Sequence, residues 1–460
     1  MSRTRAGALD RRALPVRPST GGVAADVRRR LLRPSTGGVA ADVRRRLLRP
    51  ATGRVAAADV RRLGRVGRGR RGGAVAPPSF ARPQRGDRAW ADGHVPLIAV
   101  MVVLSLIGLV MVLSASSVQS LRQFGSPWYY FRRQAMWLLI GALAFIGTMH
   151  LNYRRLRPLA PFGVFVALAF LVAVLFPGVG VNVSGSSRWI GVGSWRLQPS
   201  ELAKLALVIF AAAVLDRRAD RIRDWRYSML PVVLAFGAMA GLIMIQPDMG
   251  TTMILACIVL AALFVAGSPL RPLTGMVLSG AVLSVGLAVA APYRLRRMTA
   301  FLHPFADASN AGYQSAQGLV AAGSGGIIGM GLGATRAATG YLPNQYTDFI
   351  FAIIGEETGL VGSLLVVGLF VALAVVGIRV ACRAPDRFGS LLAAGVTAWL
   401  VGQAGINIGA VVGLVPVTGV PLPLVSFGGS SLIIAMAALG IVCNIAKQGQ
   451  AQGPGRHAAR

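Results

Sequence analysis

From Val95 to Ala446 long apolar runs alternate with short polar breaks. The runs fall at 95–115, 134–150, 159–176, 200–215, 228–246, 250–267, 272–291, 348–377, 389–413 and 424–445. Most are roughly 17–25 residues long, the length that the hydrocarbon core of a bilayer asks of a helix. The pattern therefore predicts an all-α integral membrane domain over residues 93–447 with about ten transmembrane helices. One long polar connection, residues 292–347, lies between the seventh and eighth spans, far longer than an ordinary interhelical loop. Residues 448–460 read as a short tail.

Residues 1–92 contain no such run. Residues 17–32, RPSTGGVAADVRRRLL, recur unchanged at 33–48, and 49–63 form a degraded third copy. The repeat unit carries too little apolar surface to stack as a solenoid, so this segment is expected to be a disordered Arg-rich extension. An arm for anionic lipid or a cytoplasmic partner is the sharper alternative.

Composition supports the membrane reading: 54% of residues are hydrophobic and 14% charged. A net charge of +32 invites a nucleic-acid partner, but residues 1–90 alone hold 23 Arg against 5 Asp, and the rest lies mainly in short loops. No nucleic acid is expected. The cysteines Cys257, Cys382 and Cys443 have no paired spacing, and neither a disulfide framework nor a zinc site is expected. Arg-bearing loops at 152–158, 216–226, 268–272 and 379–387 fall on one side of the predicted topology. The positive-inside rule makes that side, and both termini, cytoplasmic.

The chain has 16 acidic residues, and few lie in the membrane domain away from those loops. Glu201, Asp248, Asp307, Asp348, Glu356 and Glu357 all fall toward the outer side. Intramembrane carboxylates are costly and mark function often enough to make this one-sidedness informative. Glu201 and Lys204 are three residues apart on a helix opened by Pro199, a spacing that allows an ion pair, structural or functional. Asp248 sits in a Pro-Asp-Met-Gly turn and reads as structural. Asp307 is the one carboxylate of the long connection and follows Arg294, Arg296 and Arg297. A general base beside phosphate-holding arginines is one reading and an exposed loop acid the other. The glycines at 323–326 and 329–333 lack the strand and lysine of a phosphate loop and suggest re-entrant packing instead. Asp348 is expected to cap or orient the eighth span, with Glu356 and Glu357 shaping a polar wall.

Five motifs taken in order carry a resemblance: SRWIGVGSWRLQPSELAK, QPDMGTT, RLRRMTAFLHP followed by Asp307 and GYQ, YLPNQYTDFIFAIIGEETGLVG, and PLPLVSFGGSS. Together, over roughly residues 95–446, the chain resembles the SEDS family (shape, elongation, division and sporulation), nearer its division-type than its elongation-type branch. The resemblance implies a bacterial plasma-membrane enzyme, multi-pass, that polymerises glycan from lipid II outside the membrane. It works with a class B penicillin-binding protein and other division proteins. It implies Asp307 as the catalytic group. It places Arg188, Trp189, Glu201 and Lys204 at the substrate, with Arg294, Arg297, Tyr313 and Gln314 from the long connection. Thr347, Asp348 and Glu356 follow from the eighth span, and Ser426, Gly428, Gly429 and Ser430 from the last motif. No firm cofactor is implied, although a divalent cation, Mg or Mn, would suit a pyrophosphate leaving group. The chain departs from the family pattern at Ala308, Asn344, Tyr346 and Phe427. A lipid II flippase and a non-catalytic division scaffold are the competing readings.

Overall fold

The computed structural model describes residues 94–183, 186–192, 195–289, 301–306, 312–334, 342 and 345–451. The N-terminal repeats, the last nine residues, Asp307, Arg294 and Arg297 lie outside the described residues.

The long helices coincide with the ten expected spans. They are α1 (Val95–Phe124), α2 (Tyr129–His150), α3 (Leu156–Ala173), α4 (Pro199–Arg217), α5 (Leu230–Ile245), α6 (Met249–Val265), α7 (Leu270–Val289), α9 (Ile350–Cys382), α10 (Arg387–Val411) and α11 (Gly429–Ala451). A shorter helix, α8 (Tyr313–Ser324), belongs to the long connection. Among the described residues five helices are long and apolar enough to cross a bilayer on their own account, with α5 and α6 shorter but strongly apolar. The chain is a multi-pass membrane protein.

α4 is the hub, contacting α3, α6 and α10. Its sequence explains this: Ala203, Ala206, Ala211, Ala212 and Ala213 are buried, and small side chains let neighbouring backbones approach closely. Gly395 of α10 does the same from the other side, since a Cβ there would sit 2.9 Å from Val208 Cγ1. α2 and α11 form the most extensive helix pair, and α9 packs on both α1 and α10.

A three-stranded antiparallel sheet joins α3 to α4 and was not anticipated. It comprises β1 (Gly180–Val183), β2 (Ser186–Val192) and β3 (Trp195–Leu197), with Ile190 opposite both Gly180 and Leu197. The signal was present in the sequence, because Gly193-Ser194 between two short β-branched and aromatic runs is a hairpin pattern.

α9 is not one straight helix. Gly359 breaks it at φ 68°, ψ −161°, in the region that favours glycine.

Candidate active site at the α4 and α10 crossing

Pro199 opens α4, and Glu201 occupies its first turn, where the helix dipole favours negative charge. One turn on, Lys204 Nζ donates to Glu201 Oε1 at 2.8 Å. The side chains are 2% and 0% exposed. A charge pair so fully removed from solvent must be closely matched to survive there. The match extends to α10. Lys204 Nζ also donates to Gln403 Oε1 at 2.9 Å and lies 5.1 Å from the centre of the Trp399 ring. Gln403 Oε1 accepts a further bond from Trp399 Nε1, and Gln403 Nε2 donates to the carbonyl of Pro421, both at 2.9 Å. Glu201 Oε2 and the neighbouring Ser200 hydroxyl, both buried, have no hydrogen-bond partner among the described residues.

Two loops close over this network. Asn407, a turn beyond Gln403, donates from Nδ2 to the carbonyls of Asp348 (2.8 Å) and Val420 (2.7 Å). Ser426 Oγ donates to the Thr347 carbonyl at 2.5 Å and accepts from Leu422 N at 2.8 Å. The Phe427 amide donates to the Tyr346 carbonyl, and the rings of Tyr130, Tyr346 and Phe427 pack on one another. The expected site residues Thr347, Asp348, Ser426, Gly428, Gly429 and Ser430 are thereby gathered with α4. Ser430 Oγ accepts from the Gln198 amide that precedes α4, and Gly429 lies against Trp137. Asp348 does not take the cap position of α9; Phe349 does, without a side-chain cap.

The sheet comes to the same end of the bundle. Arg188 of β2 donates from Nε to the Gln246 carbonyl at 2.8 Å and from a terminal nitrogen to that of Pro247 at 2.5 Å. Its guanidinium thus ties the sheet to the turn between α5 and α6, and Trp189 beside it is half-buried. Asp248 is structural: it caps α6, accepting from Thr251 N and Oγ1 at 3.0 and 2.8 Å. Tyr313 and Gln314, half-buried, open α8, which lies along α9 with Gly318 against the Phe349 ring. Glu356 and Glu357 of α9 are both 2% exposed. Among the described residues no three His, Cys, Asp or Glu side chains form a metal-binding group.

Sequence reading missed Trp399, Gln403 and Asn407. Their spacing of four residues on an otherwise apolar helix, a polar stripe along one face, was the available signal.

Fold and site define a helical membrane protein with a buried ion-pair network at one end of the bundle. The family model described as cell cycle protein, which covers FtsW, RodA and SpoVE, matches residues 95–451. The protein from Mycobacterium tuberculosis named "Probable peptidoglycan glycosyltransferase FtsW" is 41% identical over 80% of this chain and 71% of its own. Stage V sporulation protein E of Bacillus subtilis is 40% identical over 76% of this chain and 96% of its own. Among solved structures, RodA of Thermus thermophilus is similar with a TM-score of 0.57 at 29% identity, covering 76% of this chain and 96% of that one. A chain from a structure titled "Structural coordination of polymerization and crosslinking by a peptidoglycan synthase complex" gives 0.65 at 30% identity, covering 77% and 97%. The chain belongs to the FtsW/RodA/SpoVE family.

Proposed function

We propose that this protein is a peptidoglycan glycosyltransferase of the FtsW type, polymerising lipid II into glycan strands during cell division. The observation that carries the reading is the buried Glu201–Lys204–Gln403 network, set within a family whose relatives bear that activity in their names. A fully desolvated ion pair with one carboxylate oxygen left over is expensive as mere packing. It makes sense as the floor of a site for a polar substrate.

In this reading the site end faces outside. Both termini and the Arg-bearing loops lie on the cytoplasmic side of the plasma membrane. Asp307 takes the proton from the 4-hydroxyl of the acceptor sugar as that oxygen attacks the anomeric carbon of the donor. The anomeric carbon–oxygen bond breaks, and undecaprenyl pyrophosphate departs with its charge met by Arg294 and Arg297. Lys204, held by two acceptors, does not travel; it fixes the carboxylate of Glu201 beneath the substrate. A divalent cation, Mg or Mn, would supply the same countercharge to the leaving pyrophosphate. A class B penicillin-binding protein is the partner that would crosslink the product.

The test is Asp307→Asn in purified protein assayed with that partner. Loss of a general base should cut polymerisation by about 10²- to 10⁴-fold; a wild-type rate rejects the assignment. The break in α9 beside two buried carboxylates gives the flippase reading its one specific support. Lipid II translocation by Asp307→Asn protein in liposomes would favour that second reading.

A further inference from the structure

A continuous α9 would bond Leu360 N to the Glu356 carbonyl and Val361 N to that of Glu357. Gly359 takes the chain out of helical geometry between these donors and acceptors. Leu360 N donates instead to the Gly326 carbonyl at 3.0 Å and Val361 N to the Ile327 carbonyl at 3.2 Å. The two vacated carbonyls accept from the same segment: Glu356 O from Met330 N at 3.0 Å and Glu357 O from Gly331 N at 3.1 Å. Residues 325–331 thus stand in the break as a strap that replaces two helical bonds with four of its own. Glycine is needed for the fit. A Cβ on Gly325 would strike the Gly355 and Glu356 carbonyls, one on Gly329 the Glu357 carbonyl, and one on Gly359 the strap backbone at Gly329 and Ile327. Ser114 of α1 fastens the far end, accepting from Gly333 N at 3.0 Å while donating to Glu357 Oε1 at 2.5 Å. Ile327 and Ile328 turn outward, 69% and 84% exposed, as side chains at a lipid boundary can.

The strap continues directly from α8, whose first residues are Tyr313 and Gln314. We propose that Gly359 and Ser114 are positioning residues: they lock the strap into the break of α9 and so set α8 at the site. Every backbone group in α9 that the strap satisfies has an alternative partner within α9 itself. Withdrawal of the strap therefore closes two helical bonds, straightens α9 and frees α8, which makes the strap a two-state element rather than a fixed tether. Its effect on polymerisation rests on the function proposed above.

The experiment is amide hydrogen exchange on the full chain in lipid nanodiscs, paired with lipid II polymerisation kinetics. Gly359→Ala should raise exchange at Met330 and Gly331 roughly tenfold or more, as expected for losing hydrogen-bonded anchors, while residues 353–357 stay protected. It should lower kcat with KM for lipid II little changed. Ser114→Ala, which leaves the backbone of α9 unaltered but takes the donor from Glu357 Oε1, should do the same more weakly, with Ser114→Thr restoring both readouts; this pair decides the matter if Gly359→Ala fails to fold. Unchanged exchange at 330–331 in the variants overturns the strap. Raised exchange with wild-type kcat overturns the positioning role. A wild-type protein that does not polymerise lipid II overturns the proposed function, and the exchange data still judge the strap.

Discussion

At one end of the bundle Glu201 and Lys204 keep 2% and 0% of their side-chain surface, whereas at the other Asp386 and Arg154 keep 31% and 42%. Both are carboxylate–cation pairs, at 2.8 and 2.7 Å; the first joins residues three apart on α4, the second residues 232 apart in the chain. The exposed pair is one strand of a well-satisfied clasp. Asp386 caps α10 through Gly389 N and accepts from Tyr153 Oη, and Arg154 reaches Gln448 near the end of α11. Asn444 completes it, accepting from Tyr153 N and donating to the Met149 carbonyl. The buried pair leaves an acceptor over at Glu201 Oε2. Charge hidden from water is expected to cost stability, and charge at the rim to cost little. The end that bears the larger cost with capacity to spare is the one to which substrate chemistry is assigned.

That contrast breaks most visibly at Lys204. Lys204→Met leaves the Glu201 carboxylate buried without its cation and should destabilise by about 3–5 kcal/mol, read as a lowered melting temperature in nanodiscs. Removing both charges in Glu201→Gln/Lys204→Met should return most of that loss, because two neutral groups carry no desolvation debt. It should leave polymerisation abolished. A double variant that regains activity with stability would make the pair purely structural.

A smaller effect is expected at Gln403, which belongs to the same network without carrying charge. Gln403→Leu strands Trp399 Nε1 and the Pro421 carbonyl and removes one acceptor from Lys204. Each buried group left unsatisfied costs about 1–3 kcal/mol, so the melting shift should fall between those of Lys204→Met and the rim variants. A shift as small as the rim's would show that Lys204 needs only Glu201.

The two ends were unequally legible in the sequence. The ten spans were readable because hydropathy is local, although α1 runs nine residues past its expected end at 115, where polar residues continue the helix beyond the apolar run. The Glu201–Lys204 spacing was readable for the same reason. Gln403 lies 199 residues from Lys204, and only the packing of α10 on α4 joins them. The break in α9 was hidden too: 348–377 reads as one apolar run, and Gly359 leaves helical geometry only because a strap from elsewhere satisfies the freed amides. The sheet escaped because its strands are short and lie among glycines and serines.

The mildest prediction concerns the rim. Burial works against ionisation of Asp386, but the bonds from Gly389 N, Tyr153 and Arg154 outweigh it and hold its carboxyl below the ordinary value of 3.8. Burial, and then the bond to Asp386, push the Tyr153 phenol upward in turn. With a depressed pKa in the folded state, the unfolded chain takes up the proton first as pH falls. The stabilisation is complete above pH 3.8 and is lost as pH drops through the lower folded value. Asp386→Asn keeps Oδ1 as the acceptor for Gly389 N; the amide nitrogen that replaces Oδ2 removes the charge and the acceptor of Arg154, and Tyr153 must turn its hydroxyl to accept instead of donate. Exposed pairs contribute little, so it should cost no more than about 1 kcal/mol at neutral pH. Its melting temperature should also decline less steeply than the wild type's below about pH 4. Parallel acid limbs in the two proteins would remove Asp386 from the groups whose protonation loosens this end, and would leave the clasp resting on its neutral hydrogen bonds.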